Sequence, residues 1–399
     1  MKFAREVVIV DYLRSPFSRS RPKEPEKDLL NDYKMDEVIG MLWKEIIRRN
    51  NLTPEVIDEA VVGVARPVLE NWTYGGRFPC FFAELPFEVA AQQVDQQCGS
   101  SLDALRTAVM AITTGFADTV ICGGMEHMTH IPLGAANPAV RVNDKLREDP
   151  RYRRYDVTFS MNMGFTAQKL QEMAGFTREE MDRWSLRSHM LAARAQKEGF
   201  FKGEILPIEV TLPDGSRLMY DYDACVRADT TLETLLQLKP AYKPDGTITA
   251  GNASPLNAGA TAMLVMSREK ADRLGLKPMA SFVSFGVAGV DPTIMGSGPV
   301  PASRKALEFA GMRVEDIDFW EINEAFSVVT LYCMRELGVP EEKVNVKGGA
   351  VAIGHPLGAT GIRLVGTLAR ILKLEGGTYG LATQCCGGGQ GIAAIIKKE

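Results

Sequence analysis

The chain has 399 residues, 45% of them hydrophobic and 24% charged, with a formal net charge of −4. That length calls for two or three domains, each able to bury a core, and the mix is that of a soluble globular protein. The slight acidity excludes a general nucleic-acid binder, which carries a basic excess, but leaves room for a small anionic ligand held by a few local Arg and Lys.

No uncharged run is long enough to span a bilayer. The first apolar run, Val7 to Val10, is too short for the core of a signal peptide. The seven cysteines are odd in number and irregularly spaced. Reduced thiols in a cytoplasmic protein are the expectation.

In chain order, residues 6–10 read as a strand, with Asp11 to Pro16 as its exit loop. Met35–Arg49 has helical spacing of apolar residues, and 57–64 reads as a strand. Residues 98–114 predict a helix with Leu102, Leu105, Val109 and Ile112 on one face. A buried strand follows at 118–122, running into Gly123-Gly124. The middle of the chain changes character. A segment rich in Arg and Lys (142–155) precedes a long polar helix at 177–199, then turns at Pro213-Asp214-Gly215 and Pro244-Asp245-Gly246. This composition suits a loop domain covering the sheet ends, where α/β proteins bind ligands. Residues 260–267 read as a strand returning to the first half.

The second half repeats the order of the first: a strand at 317–322, a Gly-rich turn passing into a helix over 355–374, and a strand at 379–383 that runs into Gly387-Gly388-Gly389. From the first strand to the start of the helical segment is 41 positions in one half (Ile57 to Cys98) and 38 in the other (Ile317 to His355). The pattern predicts a duplicated α/β unit.

Four segments carry chemistry. Cys98 lies at a predicted helix start, where free N–H groups and the helix dipole favour a thiolate; it reads as a nucleophile, against the commoner role of a small buried residue. His355, one of four histidines, sits among glycines in Gly348 to Gly361 and is the candidate base. Duplication would bring these two helix starts together. The glycines could alternatively form a phosphate loop, but the stretch lacks a P-loop ending and a dinucleotide fingerprint. Cys385-Cys386-Gly387-Gly388-Gly389 offers a thiol with little steric hindrance and backbone N–H groups for an oxyanion, or simply a tight turn. Asn323, in Asn-Glu-Ala-Phe, reads either as a helix cap or as an amide holding a water. His127, His130 and Cys122 do not complete a metal pattern.

Together the segments resemble the thiolase family over the whole chain. The Cys-Ser/Gly-Ser nucleophile motif stands at Cys98 to Ser100, Asn-Glu-Ala-Phe at Asn323 to Phe326, Gly-His-Pro at Gly354 to Pro356, and the Cys-x-Gly-x-Gly motif at Cys385 to Gly389. The resemblance implies an α/β fold with two similar halves layered α-β-α-β-α (1–124 with 254–275, and 276–399) and an inserted loop domain at 125–253. It implies a cofactor-free acyltransferase for which CoA and acyl-CoA are substrates. Cys98 would take the acyl group and His355 would activate it. Asn323 would hold a water that, with His355, binds the thioester oxygen of the second substrate. Cys385 would move the proton at the acetyl α-carbon, and the backbone N–H groups of Cys98 and Gly387 would form the other oxyanion hole. Arg227 and Ser254 would touch CoA, while Met163, Ala325 and Phe326 would line the acyl and pantetheine pocket. A homodimer or homotetramer is implied, as is a hydratase/dehydrogenase partner subunit in some degradative relatives.

Some positions depart from the family pattern. Cys386 replaces an apolar residue, Asp95-Gln96-Gln97 precedes the nucleophile, and Asn162-Met163-Gly164 lacks the His common in biosynthetic acetoacetyl-CoA thiolases. With Asp291 to Pro299, this looks more like the degradative 3-ketoacyl-CoA thiolases of β-oxidation. The alternatives are a biosynthetic acetyl-CoA acetyltransferase and a non-catalytic acyl-CoA or lipid-binding relative. A decarboxylating ketosynthase would have no use for the second thiol.

Overall fold

The structure, a computed structural model, describes residues 3–133 and 141–399. The first half contributes β1 (Val7–Arg14), α1 (Met35–Arg49), β2 (Glu59–Val64), β3 (Ala90–Val94), α2 (Ser100–Thr114) and β4 (Thr119–His127). The intervening region holds α3 (Met163–Ala174), α4 (Arg178–Lys197) and a two-stranded hairpin. The chain then returns as β5 (Asn257–Ser267). The second half consists of β6 (Ala280–Gly289), α5 (Pro299–Ala310), β7 (Phe319–Ile322), α6 (Ser327–Leu337), α7 (Thr360–Glu375), β8 (Tyr379–Cys386) and β9 (Gln390–Lys398).

The duplication is present as topology. The strands run β3-β2-β4-β5-β1 in the first half and β7-β8-β9-β6 in the second. A parallel bridge between Trp320 and Val344 adds the missing outer position to the second set. Numbered within its own half, each set has the order 3-2-4-5-1. The senses match too: β2 is parallel to β3 and β4, and β7 to β8, whereas β5 and β9 run antiparallel to both of their neighbours. A short antiparallel pairing of β1 with β6 joins the halves.

Alternation along the strands divides the apolar residues between cores. Val8, Val10, Val62 and Val64 face α1, whereas Val7, Ile9, Val61 and Val120 face a central layer built from α2 and α7. In the second half, Ala394 and Ile396 face that same layer, and Ala393 and Ile395 face α5 and α6. The layers are therefore α-β-α-β-α.

The central helices touch at their first turns. Ile362 N–H donates to Ser101 Oγ at 3.1 Å. A Cβ on Gly361 would lie 2.6 Å from Leu102 Cβ, so only glycine permits this approach. Arg14, fully buried at the end of β1, anchors the intervening region. Its Nε bonds Glu204 Oε1 at 2.7 Å, and its two terminal nitrogens bond Asp223 at 2.7 and 2.9 Å.

Several sequence expectations are corrected. The exit loop at Asp11 to Arg14 is strand, because its charges are paired inward: Asp11 with Arg49 and Asn50, Arg14 with Glu204 and Asp223. The strand expected at 118–122 runs on to His127, through Gly123 and Gly124, which abut Ile39 and Ser101. Asn323 is not a helix cap; α6 begins at Ser327 and its cap position is Phe326. His355 precedes α7 by five residues instead of starting it, and Cys98 precedes α2 by two.

Gly361→Val is expected to cost about 1–3 kcal/mol, the usual penalty for overpacking. It would be read as a lower midpoint in chemical denaturation, and an unchanged midpoint would mean the helix starts have slack between them.

Candidate active site

Cys98 sits in the loop between β3 and α2, against the end of β8 from the second half. It is 8% exposed, whereas Cys385 and Cys386 are fully buried, so it is the thiol of the three that a ligand can reach. Gln384, one residue before the Cys pair, donates from Nε2 to the Cys98 carbonyl at 2.9 Å and fastens β8 to the nucleophile loop. Burial pushes the Cys98 thiol up to about 12, and Glu126 and Asp95 add to this. The N–H groups of Gly387 and of Cys98 itself point at the sulfur and pull the other way. These are the two groups assigned from the sequence to an oxyanion hole.

His355 is held from both sides. Its backbone N–H donates to Asn257 Oδ1 at 2.8 Å, and its Nδ1 lies 2.7 Å from Thr360 Oγ1. Thr360 spends its hydroxyl proton on the Pro356 carbonyl at 2.9 Å, so Nδ1 is the ring donor and Nε2 carries the lone pair. Asn323 Nδ2 stands 3.3 Å from that Nε2, and Asn323 Oδ1 is buried with no protein donor. Burial, reinforced by the charge of Arg363, lowers His355 to about 3. The ring is thus a neutral base with its basic nitrogen facing the amide.

Asn323 is positioned by the residue after it. The buried Glu324 carboxylate accepts from Trp184 Nε1 (2.9 Å), Ser188 Oγ (2.7 Å), Asn345 Nδ2 (2.8 Å) and the N–H of Val351 (3.0 Å). Those four donors come from α4 and from the segments on either side of the glycines before His355. Asn323 N–H also donates to Thr383 O at 2.9 Å, two residues before Cys385.

The two adjacent cysteines face opposite sides of β8: Cys385 lies in the core beside α6, Cys386 in the central layer. Burial raises both thiols well above the ordinary range, and proximity to Cys98 raises each further. Cys386 receives the N–H of Gly99, and its sulfur lies 2.6 Å from where a Cβ on Gly99 would sit.

Of the remaining sequence-assigned residues, Ser254, Ala325, Phe326 and Met163 lie in linked segments and Arg227 lies apart from them. Ser254 N–H donates to Ala325 O at 3.0 Å, and Phe326 packs edge-on to Tyr242 at 6.2 Å. Tyr242 lies so close to Gly164, beside the half-buried Met163, that a side chain there would collide with it. Arg227 is exposed, with its N–H 3.2 Å from His189 Nδ1. Sequence reasoning missed Arg19. Burial and then the neighbouring guanidiniums of Arg21 and Arg227 lower it. Gln384, Asn257, Glu126 and Glu324 were missed as well, because each acts through a partner distant in sequence, and so was Thr360, whose partners His355 and Pro356 are near in sequence. Among the described residues no group of three His, Cys, Asp or Glu could hold a metal ion, and no helix is long and apolar enough to cross a membrane. His127 and His130 stack on each other and bond Leu30 O and Asn31 Oδ1.

Two α/β halves that gather a reachable thiol, two buried thiols and a neutral imidazole at paired helix starts define a cysteine-dependent acyltransferase. The thiolase N-terminal domain matches residues 7–269 and the thiolase C-terminal domain residues 276–398, so the chain belongs to the thiolase family. It is 42% identical to a 3-ketoacyl-CoA thiolase of Marinobacter nauticus, covering 99% of this chain and 98% of that protein. The fold matches human mitochondrial 3-ketoacyl-CoA thiolase in complex with CoA at a TM-score of 0.88, with 34% identity over 100% of this chain and 99% of that one. It also matches the acetyl-CoA acetyltransferase of Bacillus anthracis at 0.87, with 35% identity over the whole of both chains.

With Cys98 raised and His355 lowered, the two groups rest as a thiol and an imidazole, not as an ion pair. Below such a pKa the thiolate fraction grows about tenfold per pH unit. Alkylation of Cys98 by iodoacetamide should therefore climb without a plateau from about pH 6 to about pH 9. A rate already level near neutrality would mean a preformed thiolate.

Proposed function

We propose that the protein cleaves 3-ketoacyl-CoA with CoA, releasing acetyl-CoA and an acyl-CoA shortened by two carbons. Cys98 gives its proton to His355 Nε2 and its sulfur attacks the C3 carbonyl. The alkoxide formed is met by the N–H groups of Cys98 and Gly387. Collapse breaks the C2–C3 bond, and Cys385 protonates the departing acetyl-CoA enolate. CoA then enters, passes its thiol proton to the Cys385 thiolate and attacks the acyl group on Cys98. The released sulfur of Cys98 recovers its proton from His355. During the C2–C3 cleavage the protonated His355 and a water on Asn323 hold the thioester oxygen of the departing acetyl-CoA enolate. Two thiols, one imidazole and oriented amides carry every proton, and CoA is a substrate, not a resident cofactor.

The observation that carries this reading is the ring of His355, whose bond from Nδ1 to Thr360 leaves the lone pair on Nε2 beside Asn323. The anionic phosphates of CoA suit Arg19 and Arg227. Asn257, which holds His355, also contacts Ser18 O at 2.8 Å and Cys225 Sγ at 3.5 Å, next to Arg19 and Arg227. We assign CoA to the loop domain, 125–253, between halves at 1–124 with 254–275 and at 276–399. Arg227 and Ser254 meet CoA, and Met163, Ala325 and Phe326 line the pocket for acyl chain and pantetheine. The seven free, buried cysteines suit a reducing cytoplasm.

The degradative reading over the biosynthetic one rests on Asn162. Its Oδ1 accepts the N–H of Phe165 at 3.3 Å as the cap of α3, so this amide is committed to the helix where biosynthetic relatives carry a His. A dimer is the assembly we favour. β3 is a sheet edge of mixed exposure, and the segment just before it exposes Trp72, Tyr74, Phe81 and Phe82. Trp72→Lys combined with Phe81→Lys should shift the elution and light-scattering mass from two copies to one; an unchanged mass would remove this face from the interface.

Loss of 3-ketoacyl thioester absorbance on adding CoA tests the activity. Medium- and long-chain substrates should outrun acetoacetyl-CoA, and a strict preference for acetoacetyl-CoA would favour the biosynthetic reading. Cys98→Ser should show no acyl-enzyme by intact mass. Cys385→Ser should still be acylated by acetyl-CoA but lose condensation on the order of 10²–10⁴-fold. Cys386→Val should keep both steps. Full activity in Cys385→Ser, or its loss in Cys386→Val, would move the proton to the other thiol.

A further inference from the structure

Glu126, the penultimate residue of β4, is 1% exposed and is not used in the chemistry above. Its Oε2 accepts two backbone N–H groups at 3.1 Å each: Ala65, just past β2 in the first half, and Gly358, three residues past His355 in the second. Its Oε1 accepts Asn71 Nδ2 at 2.6 Å. One carboxyl oxygen thus bonds both halves at once. The contact is close-packed: a Cβ on Gly358 would collide with Met125 O and lie 3.0 Å from Ala65 N. The His355 loop is also held by Asn257 at the His355 N–H, by Thr360 where α7 begins, and by Thr261 of β5, whose Oγ1 donates to the Ala359 carbonyl at 2.9 Å.

We propose that Glu126 is a positioning residue for acyl transfer, fastening the middle of the His355 loop to the half that carries Cys98 and so setting the spacing of base and nucleophile. This rests on the function proposed above. The contribution is geometric, since a negative charge on Glu126 opposes ionisation of Cys98. Glutamine keeps an oxygen for both N–H groups and removes the charge; alanine removes the clamp. Aspartate is too short to reach both.

The test is steady-state thiolysis by wild type, Glu126→Gln, Glu126→Asp and Glu126→Ala, with the iodoacetamide rate at Cys98 measured alongside. Misplacement by about an ångström costs on the order of 100-fold, so Glu126→Ala should lose kcat to that degree with KM nearly unchanged. Its Cys98 should alkylate at least as fast as wild type, because the small reagent needs no aligned base. Glu126→Gln should stay within a few-fold of wild type. If Glu126→Ala does not fold, Glu126→Asp carries the test, with kcat reduced at least about tenfold at unchanged KM. Unchanged kcat in the folded alanine or aspartate variant would overturn the proposal. So would a glutamine variant as slow as alanine, or a loss confined to KM. Absence of thiolysis by the wild type would instead overturn the proposed function, and the alkylation rates would still be measurable.

Discussion

The site depends on one close approach: the first turns of α2 and α7 meet with no side chain on Gly361 and with the Ile362 N–H donated to Ser101. Two helix N-termini converging bring two positive dipole ends together, which is unfavourable for the helices alone. The same arrangement leaves free N–H groups and positive potential where Cys98 and His355 precede their helices. At Cys98 burial works against that potential and is the larger effect, holding a thiol, whereas at His355 burial and positive charge act together to keep the ring neutral. In the proposed reaction the field then favours only what forms transiently, a sulfur or oxygen anion met by the N–H groups at Cys98 and Gly387. A resting thiolate would draw solvent and oxidants; a thiol that ionises as its base takes the proton does not.

Around this contact the molecule spends buried carboxylates as fasteners. Glu324 receives four donors from three segments, Glu126 receives three from both halves, and Glu204 and Asp223 lock onto Arg14. A buried charge is tolerable only when its lone pairs are satisfied, and the penalty for losing a donor is larger than the gain from any single bond. Each carboxylate therefore fixes several loops together or none. This suits loops that bear reacting groups but little apolar surface of their own: the glycine-rich stretch before His355 and the segment from Asn323 to Phe326.

The same logic explains what could be read from sequence. Strands with apolar residues on both faces, such as β2 and the start of β4, were legible because burial leaves a local pattern. β6, with Ser281, Ser284 and two glycines, and β3, a short edge strand with Gln92 and Gln93, carry no such pattern and went unread. β1 was cut short at Asp11 because its charges find partners far along the chain. The reacting residues stood out because close approach of backbone to substrate demands glycine, which is visible locally. Three of their supports, Gln384, Asn257 and Glu126, are ordinary polar residues whose meaning lies in partners on other elements.

Direction and chain length follow from different parts of the site. Thiolysis and condensation pass through the same transition states, so the groups that lower one barrier lower the other equally. Likeness to both a 3-ketoacyl-CoA thiolase and an acetyl-CoA acetyltransferase is what that symmetry demands of the core. The concentrations of CoA and acetyl-CoA then set the net flux. Chain length is where the protein itself discriminates, through a wall that the core chemistry leaves free to vary. In the proposed assignment that wall is the start of α3, where Asn162 caps the helix, together with Tyr242, which lies on Gly164 and edge-on to Phe326. Each methylene buried against such a wall is worth about 0.8 kcal/mol. A few carbons of extra acyl chain therefore outweigh differences at the reacting atoms in deciding which 3-ketoacyl-CoA is preferred.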